Sequence, residues 1–178
     1  CIRGRVYSVH GLDCVVAGSD GQQYRCAIRG LLKNLSTDQR NVVVAGDIVM
    51  IRPEASTDAG DRNEALIVRV EPRYGCISRT SKGQQHVLVS NVDQLLIVAS
   101  VSQPELKPNL IDRFLMTAEK VGCRPVICLN KMDLVEPAEI QPLAGTYGQL
   151  GYPTVFTSTT TGLGIEQLRA IVKDKQNV

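Results

Sequence analysis

The chain has no tryptophan, and aromatic residues make up only 4% of its 178 positions. Tyr7, Tyr24 and Tyr74 are the only Phe, Tyr or Trp residues before residue 114. A nucleic-acid surface built mainly on stacked bases is therefore not expected in that half. No apolar run approaches the length of about 18 residues that marks a spanning helix, and no signal peptide is visible. A cytoplasmic location without membrane attachment is the expectation. The six cysteines, at positions 1, 14, 26, 76, 123 and 128, show no C-x-x-C pair. The two histidines, His10 and His86, stand at no ligand offset from them. Buried thiols in a reducing compartment are expected, with neither disulfides nor a metal site in these residues.

A strong net charge is also missing. The formal total is +2, so no global field announces a polyanionic partner. The charge is uneven, however. Residues 1–82 hold 12 Lys+Arg against 9 Asp+Glu, a net +3, and residues 83–178 hold 8 against 9, a net −1. A mildly basic first half follows, with Arg25, Arg29, Lys33 and Arg40 as candidate phosphate contacts on a strand and a long connection. Singly, each is better read as a solvated surface charge.

The first 75 residues read as short strands between turns. Arg5–Val9 and Cys14–Ala17 are strand-like, and Gly18–Gly21 is a turn. Tyr24, Cys26 and Ile28 alternate with Arg25, Ala27 and Arg29. Asp47–Arg52 sets Ile48 and Met50 opposite Val49 and Ile51. Ala65–Val70 puts Leu66, Val68 and Val70 on one face. Five such strands suggest a small Greek-key barrel of the OB type, with an SH3-like barrel as the alternative. Residues 30–46 are expected to connect the third and fourth strands. Residues 76–92, which include the polar stretch Ser78–Gly83, are expected to be the crossing between domains.

From residue 93 the rhythm changes. Gln94–Val101 is a continuous apolar strand. Pro108 fits a helix start, with Leu110, Ile111, Phe114, Leu115 and Ala118 as its inner face and Gly122 as its stop. Val126–Leu129 is a second strand, a weaker helix with Pro142 and Gly145 follows, and Thr154–Thr157 is a third strand. Ile165, Leu168 and Ile171 stripe a last helix. Strand starts about thirty residues apart imply βαβ units and a parallel sheet.

That sheet delivers Asn130-Lys131-Met132-Asp133 at the carboxyl end of its second strand, where open α/β sheets bind ligands. GTP-binding folds read guanine with Asn-Lys-x-Asp. The Asp carboxylate accepts from the N1–H and N2–H₂ donors, which adenine cannot offer, and the unpaired carboxylate penalises the wrong base. The Lys stem covers the base face, and the Asn ties the loop to the phosphate loop. One βα unit later, the third strand runs into Ser158-Thr159. In GTPases a Ser-Ala-type loop here buttresses the Asp and gives a backbone N–H to guanine O6; Thr159 stands where Ala is usual. The candidate base-binding residues are thus Asn130, Lys131, Met132, Asp133, Ser158 and Thr159.

The last absence is a G-x-x-x-x-G-K-[ST] phosphate loop. The space upstream of Asn130, where an ordinary GTPase carries it, is filled by the barrel. A permuted order accounts for this. The arrangement closely resembles the ribosome small-subunit-dependent GTPase A family (RsgA/YjeQ). The resemblance is carried by Arg29-Gly30, Val44–Val49, Pro72-Arg73, Asn91–Gln94, Ile111–Leu115, Asn130–Leu134 and Gly162–Leu168. It implies a β plus α/β chain: an OB-like barrel over 1–75, a junction over 76–92, and part of a circularly permuted P-loop GTPase domain over 93–178. It further implies GTP hydrolysis to GDP in late maturation of the small ribosomal subunit, with that subunit and its rRNA as partners and a monomeric state. The Mg²⁺ and phosphate site, and a zinc-binding domain, would by the same resemblance lie beyond residue 178. No catalytic residue is therefore named here, and the chain alone is expected to bind GTP weakly without turning it over. The alternative is a non-hydrolysing RNA-binding module, an OB barrel carried on a scaffold.

Overall fold

Five strands come first: β1 (Ile2–His10) and β3 (Gln23–Ala27), in which apolar residues alternate with polar ones, and β2 (Asp13–Gly18), β4 (Ile48–Pro53) and β5 (Glu64–Val70), which carry apolar residues on both faces. The structure is a computed structural model that describes residues 1–28, 42–54, 63–81, 83–175 and 178. It separates into two units, Cys1–Val92 and Asp93–Val178.

In the first unit the five strands close a barrel in the order β1-β2-β3-β5-β4, and β4 pairs back onto β1. Neighbours are antiparallel except β3 and β5, which run parallel. This closed Greek-key order is the OB-type barrel, which sets the SH3-like alternative aside. Val6, Cys14, Val16, Tyr24, Cys26, Val49, Ile51, Ala65 and Ile67 fill the interior. Each large aliphatic among them contributes about 1.5–3 kcal/mol by burial. Gly4 is required by a close approach: a Cβ there would meet Val16 Cγ1 at 2.5 Å and the Ala17 carbonyl oxygen at 2.8 Å.

On β5 the face bearing Leu66, Val68 and Val70 is not the interior one. Ala65 and Ile67 point inward, and Val68 is 40% exposed. The strand is apolar on both faces, so composition could not choose; pairing with β3 and β4 does. Residues 76–92 hold more than a crossing. An antiparallel hairpin, β6 (Ile77–Ser81) and β7 (Gln84–Val89), lies within the first unit. Its polar strands carry little of the apolar alternation by which strands are recognised.

A buried polar cluster fastens this unit. Asp47 is fully buried. Its carboxylate accepts from Arg73 Nε at 2.7 Å, Arg73 Nη2 at 2.8 Å, the Val44 N–H at 2.9 Å and the Ser90 hydroxyl at 2.5 Å. Arg73 Nη2 also donates to the Val42 carbonyl at 3.1 Å. Asn91 gives its amide N–H to the Gly46 carbonyl at 2.9 Å and accepts the Tyr74 N–H at 2.9 Å. The segments at 42–47, 73–74 and 90–91 are thereby joined.

The second unit is a parallel three-stranded sheet in the order β10-β9-β8, built from β8 (Gln94–Ser100), β9 (Arg124–Asn130) and β10 (Thr154–Phe156). The described helices are α1 (Pro108–Val121), α2 (Pro137–Gln149) and α3 (Ile165–Val172). Proline occupies the first turn of α1 and α2, where its missing N–H has no intrahelical partner to lose. Gly122 ends α1 in the left-handed region, φ 70°. Ile97, Ile111, Leu115, Ile127, Leu129, Met132, Ile140 and Tyr147 form the core. Two residues assigned to the inner face of α1 are not in it: Leu110 is 48% exposed and Phe114 44%. With Val98 they line an open cavity of about 350 Å³ beside β8, an edge strand among the described residues. The apolar stripe of α1 is wider than the sheet it packs on. No described helix is long and apolar enough to cross a membrane.

Candidate functional site

Strand β9 carries four consecutive buried residues, Val126–Leu129, and releases the chain at Asn130. Lys131 then turns through the left-handed region, φ 68°, into a short 3₁₀ turn over Met132–Leu134. The buried Met132 side chain anchors this turn in the core, and its N–H donates to the Thr157 carbonyl at 3.1 Å. Asp133, next in line, stays exposed at the surface.

The loop after β10 is built to meet it. Thr157 N–H donates to the Leu129 carbonyl at 2.8 Å, which fixes the loop base on β9. Ser158, fully buried, donates its hydroxyl to Asp133 Oδ1 at 2.5 Å and accepts the Thr161 N–H at 3.2 Å. Ser158 N–H is committed to the Leu163 carbonyl at 3.0 Å. Thr159 N–H, like that of Thr160, has no acceptor among the described residues and is available as a backbone donor. Gly164 lets the loop close onto β10; a Cβ there would sit 1.9 Å from the Phe156 carbonyl oxygen, and its φ is +69°.

Two further residues, missed by the sequence reading, brace the same site. Thr157 donates its hydroxyl to Asn130 Oδ1 at 3.1 Å. Cys128 Sγ lies 3.2 Å from that hydroxyl oxygen. Because Thr157 spends its proton on Asn130, the thiol is the donor to Thr157. Asn130 is thereby held by its carbonyl oxygen, which leaves its NH₂ as the outward group. The visible signal was a threonine ending an apolar strand directly before Ser158.

The third wall comes from the segment after β8. Val101 N–H donates to the Asn130 carbonyl at 2.9 Å, and Lys131 Nζ donates to the Gln103 carbonyl. The Lys131 stem therefore runs between the loops following β8 and β9. The structure brings Asn130, Lys131, Met132, Asp133, Ser158 and Thr159 together at the carboxyl ends of three parallel strands. A carboxylate acceptor, an adjacent backbone donor and an alkyl stem are the groups needed to read the edge of a flat heterocycle and cover its face.

The basic candidates are placed less completely. Arg25 is exposed on β3, 3.7 Å from Asp13 on β2, in an open groove of about 590 Å³ that also includes His10, Gln23 and Asn63. Arg29, Lys33 and Arg40 lie outside the described residues.

Comparison with known proteins agrees with this construction. The RsgA GTPase family model matches residues 70–178. A small ribosomal subunit biogenesis GTPase RsgA of Shewanella oneidensis is 34% identical over 98% of this chain and 48% of its own length. The protein of the same name from Chlorobaculum tepidum is 33% identical over 98% of this chain and 57% of its own. The chain spans about half the length of the curated relatives it matches. Among solved structures, YjeQ from Thermotoga maritima superposes with a TM-score of 0.74 at 32% identity, covering 98% of this chain and 58% of that one. YloQ, described as a circularly permuted GTPase, gives 0.68 at 26% identity over the same shares. A barrel followed by a parallel sheet with helices is thus shared with these proteins, and the chain belongs to the RsgA GTPase family.

Proposed function

We propose that the whole protein binds guanine nucleotide through Asn130, Lys131, Met132, Asp133, Ser158 and Thr159, and hydrolyses GTP to GDP and phosphate while assisting maturation of the small ribosomal subunit. The observation that carries the reading is the 2.5 Å bond from Ser158 to Asp133. It ties two loops that are 25 residues apart and leaves the second carboxylate oxygen toward solvent. The guanine N1–H and N2–H₂ groups are the donors that such an oxygen pair accepts, and Thr159 N–H serves guanine O6. Hydrolysis is water attack on the γ-phosphate, catalysed by positioning and charge stabilisation. Mg²⁺ supplies charge neutralisation in that chemistry. Among the described residues no group of three or more His, Cys, Asp or Glu gathers to hold a metal, so none is assigned to it. The phosphate and catalytic groups are assigned to the remainder of the protein.

Thr157 offers a test of the site that leaves the base-reading groups in place. Thr157→Val removes the hydroxyl that orients Asn130 and should weaken GTP and GDP binding by about 1 kcal/mol, roughly fivefold. Thr157→Ser should restore most of it. Calorimetric titration of the full-length protein measures both. Equal weakening in the two variants would show that packing, not the hydroxyl, is what matters.

For the ribosomal partner, the face of β2 and β3 is the face OB barrels use for oligonucleotides, and Arg25 lies on it. GTP turnover by the full-length protein should rise when small subunits are added. Arg25→Ala should lower the slope of log affinity against log salt by about one unit, the loss of one phosphate contact. Arg29, Lys33 and Arg40 join it on the sequence reading alone. Turnover indifferent to subunits, with ATP competing as well as GTP, would overturn this function.

A further inference from the structure

We propose that the outward face of β1, β2 and β3 holds an unpaired nucleotide of RNA, its base stacked on Tyr7. The inference rests on the ribosomal RNA partner of the preceding section and names what the barrel takes from it. It starts from a single break in the alternation of β1. Gly4 and Val6 are buried, and the next inward residue is Val9, which packs against the barrel core. Tyr7 and Ser8 thus fall together between two inward residues. The register shows why: Val6 pairs with Val16 and Ser8 with Val15, so Tyr7 is the extra residue of a β-bulge. Bulges of this kind re-aim a side chain. Tyr7 is 76% exposed, more than any other aromatic residue, so the fold itself buries little of its ring.

The strand registers set out what surrounds that ring. Ser8 pairs with Val15, and Val15 pairs with Arg25 on β3. In the next row Arg5 pairs with Ala17, and Ala17 with Gln23. The middle strand therefore carries the short side chains Val15 and Ala17 between longer ones on its neighbours. Strands lie about 4.8 Å apart, so Tyr7 and Arg25 flank a trough roughly 10 Å wide. Val15, Gln23 and Arg25 line the open groove of about 590 Å³, and Tyr7 stands beside it on β1.

The chemistry of the trough selects its occupant. A flat base can lie against the Tyr7 ring and the low floor of β2. Asp13, Gln23 and Asn63, which also line the groove, are the carboxylate and carboxamide groups that pair with base edges. Arg25 meets Asp13 in an exposed pair at 3.7 Å, a contact weak enough for a phosphate to displace. An anchoring side chain of a protein partner would need a desolvated apolar pocket, whereas two small aliphatic residues here are ringed by polar ones. Duplex RNA keeps its bases stacked on each other and offers none to a ring. One exposed ring takes one base.

The full-length protein is co-sedimented with small ribosomal subunits across a salt series, and the subunit RNA is probed by 2′-hydroxyl acylation at saturating protein. Tyr7→Ala removes base–aromatic stacking and should bind about 5- to 150-fold more weakly at every salt concentration. The slope of log affinity against log salt should keep its wild-type value, because no phosphate contact leaves with the ring. Tyr7→Phe should bind like wild type. Tyr7→Leu should recover little, since an alkyl side chain has no π face. A nucleotide protected by the wild type should react again with Tyr7→Ala bound, while protections elsewhere remain. Wild-type affinity in Tyr7→Ala, or full recovery in Tyr7→Leu, overturns the stacking. Weakened binding with every protection intact places Tyr7 on a ribosomal protein and overturns it as well. In each of these cases a salt slope still lowered by Arg25→Ala leaves the ribosomal reading standing. A wild-type protein that fails to sediment with subunits at any salt concentration overturns both.

Discussion

Asp133→Asn is expected to turn the nucleotide preference of the full-length protein from guanine toward xanthine. Asp133 is held through Oδ1 by the Ser158 hydroxyl, so a replacing amide will keep its oxygen on Ser158 and turn its NH₂ to the ligand. Guanine presents two donors there, and a donor facing donors is left unsatisfied. Xanthine presents a 2-oxo acceptor, which the new NH₂ pairs. Loss of a charged hydrogen bond should weaken GTP by about 1.5–3 kcal/mol, on the order of 10- to 100-fold. The Ser158 bond survives, so the thermal midpoint should hardly move. Competition between GTP and XTP on wild type and variant decides the matter. Unchanged preference for GTP would remove Asp133 from the base-binding groups.

How much of this was legible beforehand follows the physics of each feature. The barrel strands β1 and β3 announce themselves because only one face of each is apolar, and β2 and β4 do so as short runs of apolar residues. β5 is apolar on both faces, so its inward pair Ala65 and Ile67 is chosen by the register against β3 and β4 and not by composition. Leu110 and Phe114 satisfy helical spacing as well as Ile111 and Leu115 do, and the edge position of β8 separates them. The β6–β7 hairpin carries a polar first strand and little alternation, so its sequence reads as a crossing. At the site, Asn130–Asp133 and Ser158 were readable because chemistry restricts those positions to few residue types. Thr157 and Cys128 act through Asn130, and a side chain whose partner is another side chain 27 residues away leaves no local pattern. Of the four basic candidates, Arg25 alone is among the described residues.

Arg73→Ala should be the most damaging single change in the first unit. Asp47 lies fully buried, and Arg73 is its cationic partner through two bonds of 2.7 and 2.8 Å. Truncation leaves the Val44 N–H and the Ser90 hydroxyl on the carboxylate but no opposing charge, and it strands the Val42 carbonyl as well. Breaking a buried pair from one side costs about 3–5 kcal/mol, because the remaining charge keeps its desolvation penalty. Removing both charges with matched volume, Asp47→Leu with Arg73→Met, discards that penalty, so the double variant should lose less stability than Arg73→Ala alone. Hydrogen exchange resolved by peptide gives the measurement without a tryptophan probe. Amides of β1 and β4 should lose protection by roughly 100-fold or more in Arg73→Ala, and part of that loss should return in the double variant. Loss of less than about tenfold would mean that water reaches Asp47 readily once Arg73 is gone, and that the hydrogen bonds from Val44 and Ser90 suffice to hold the carboxylate.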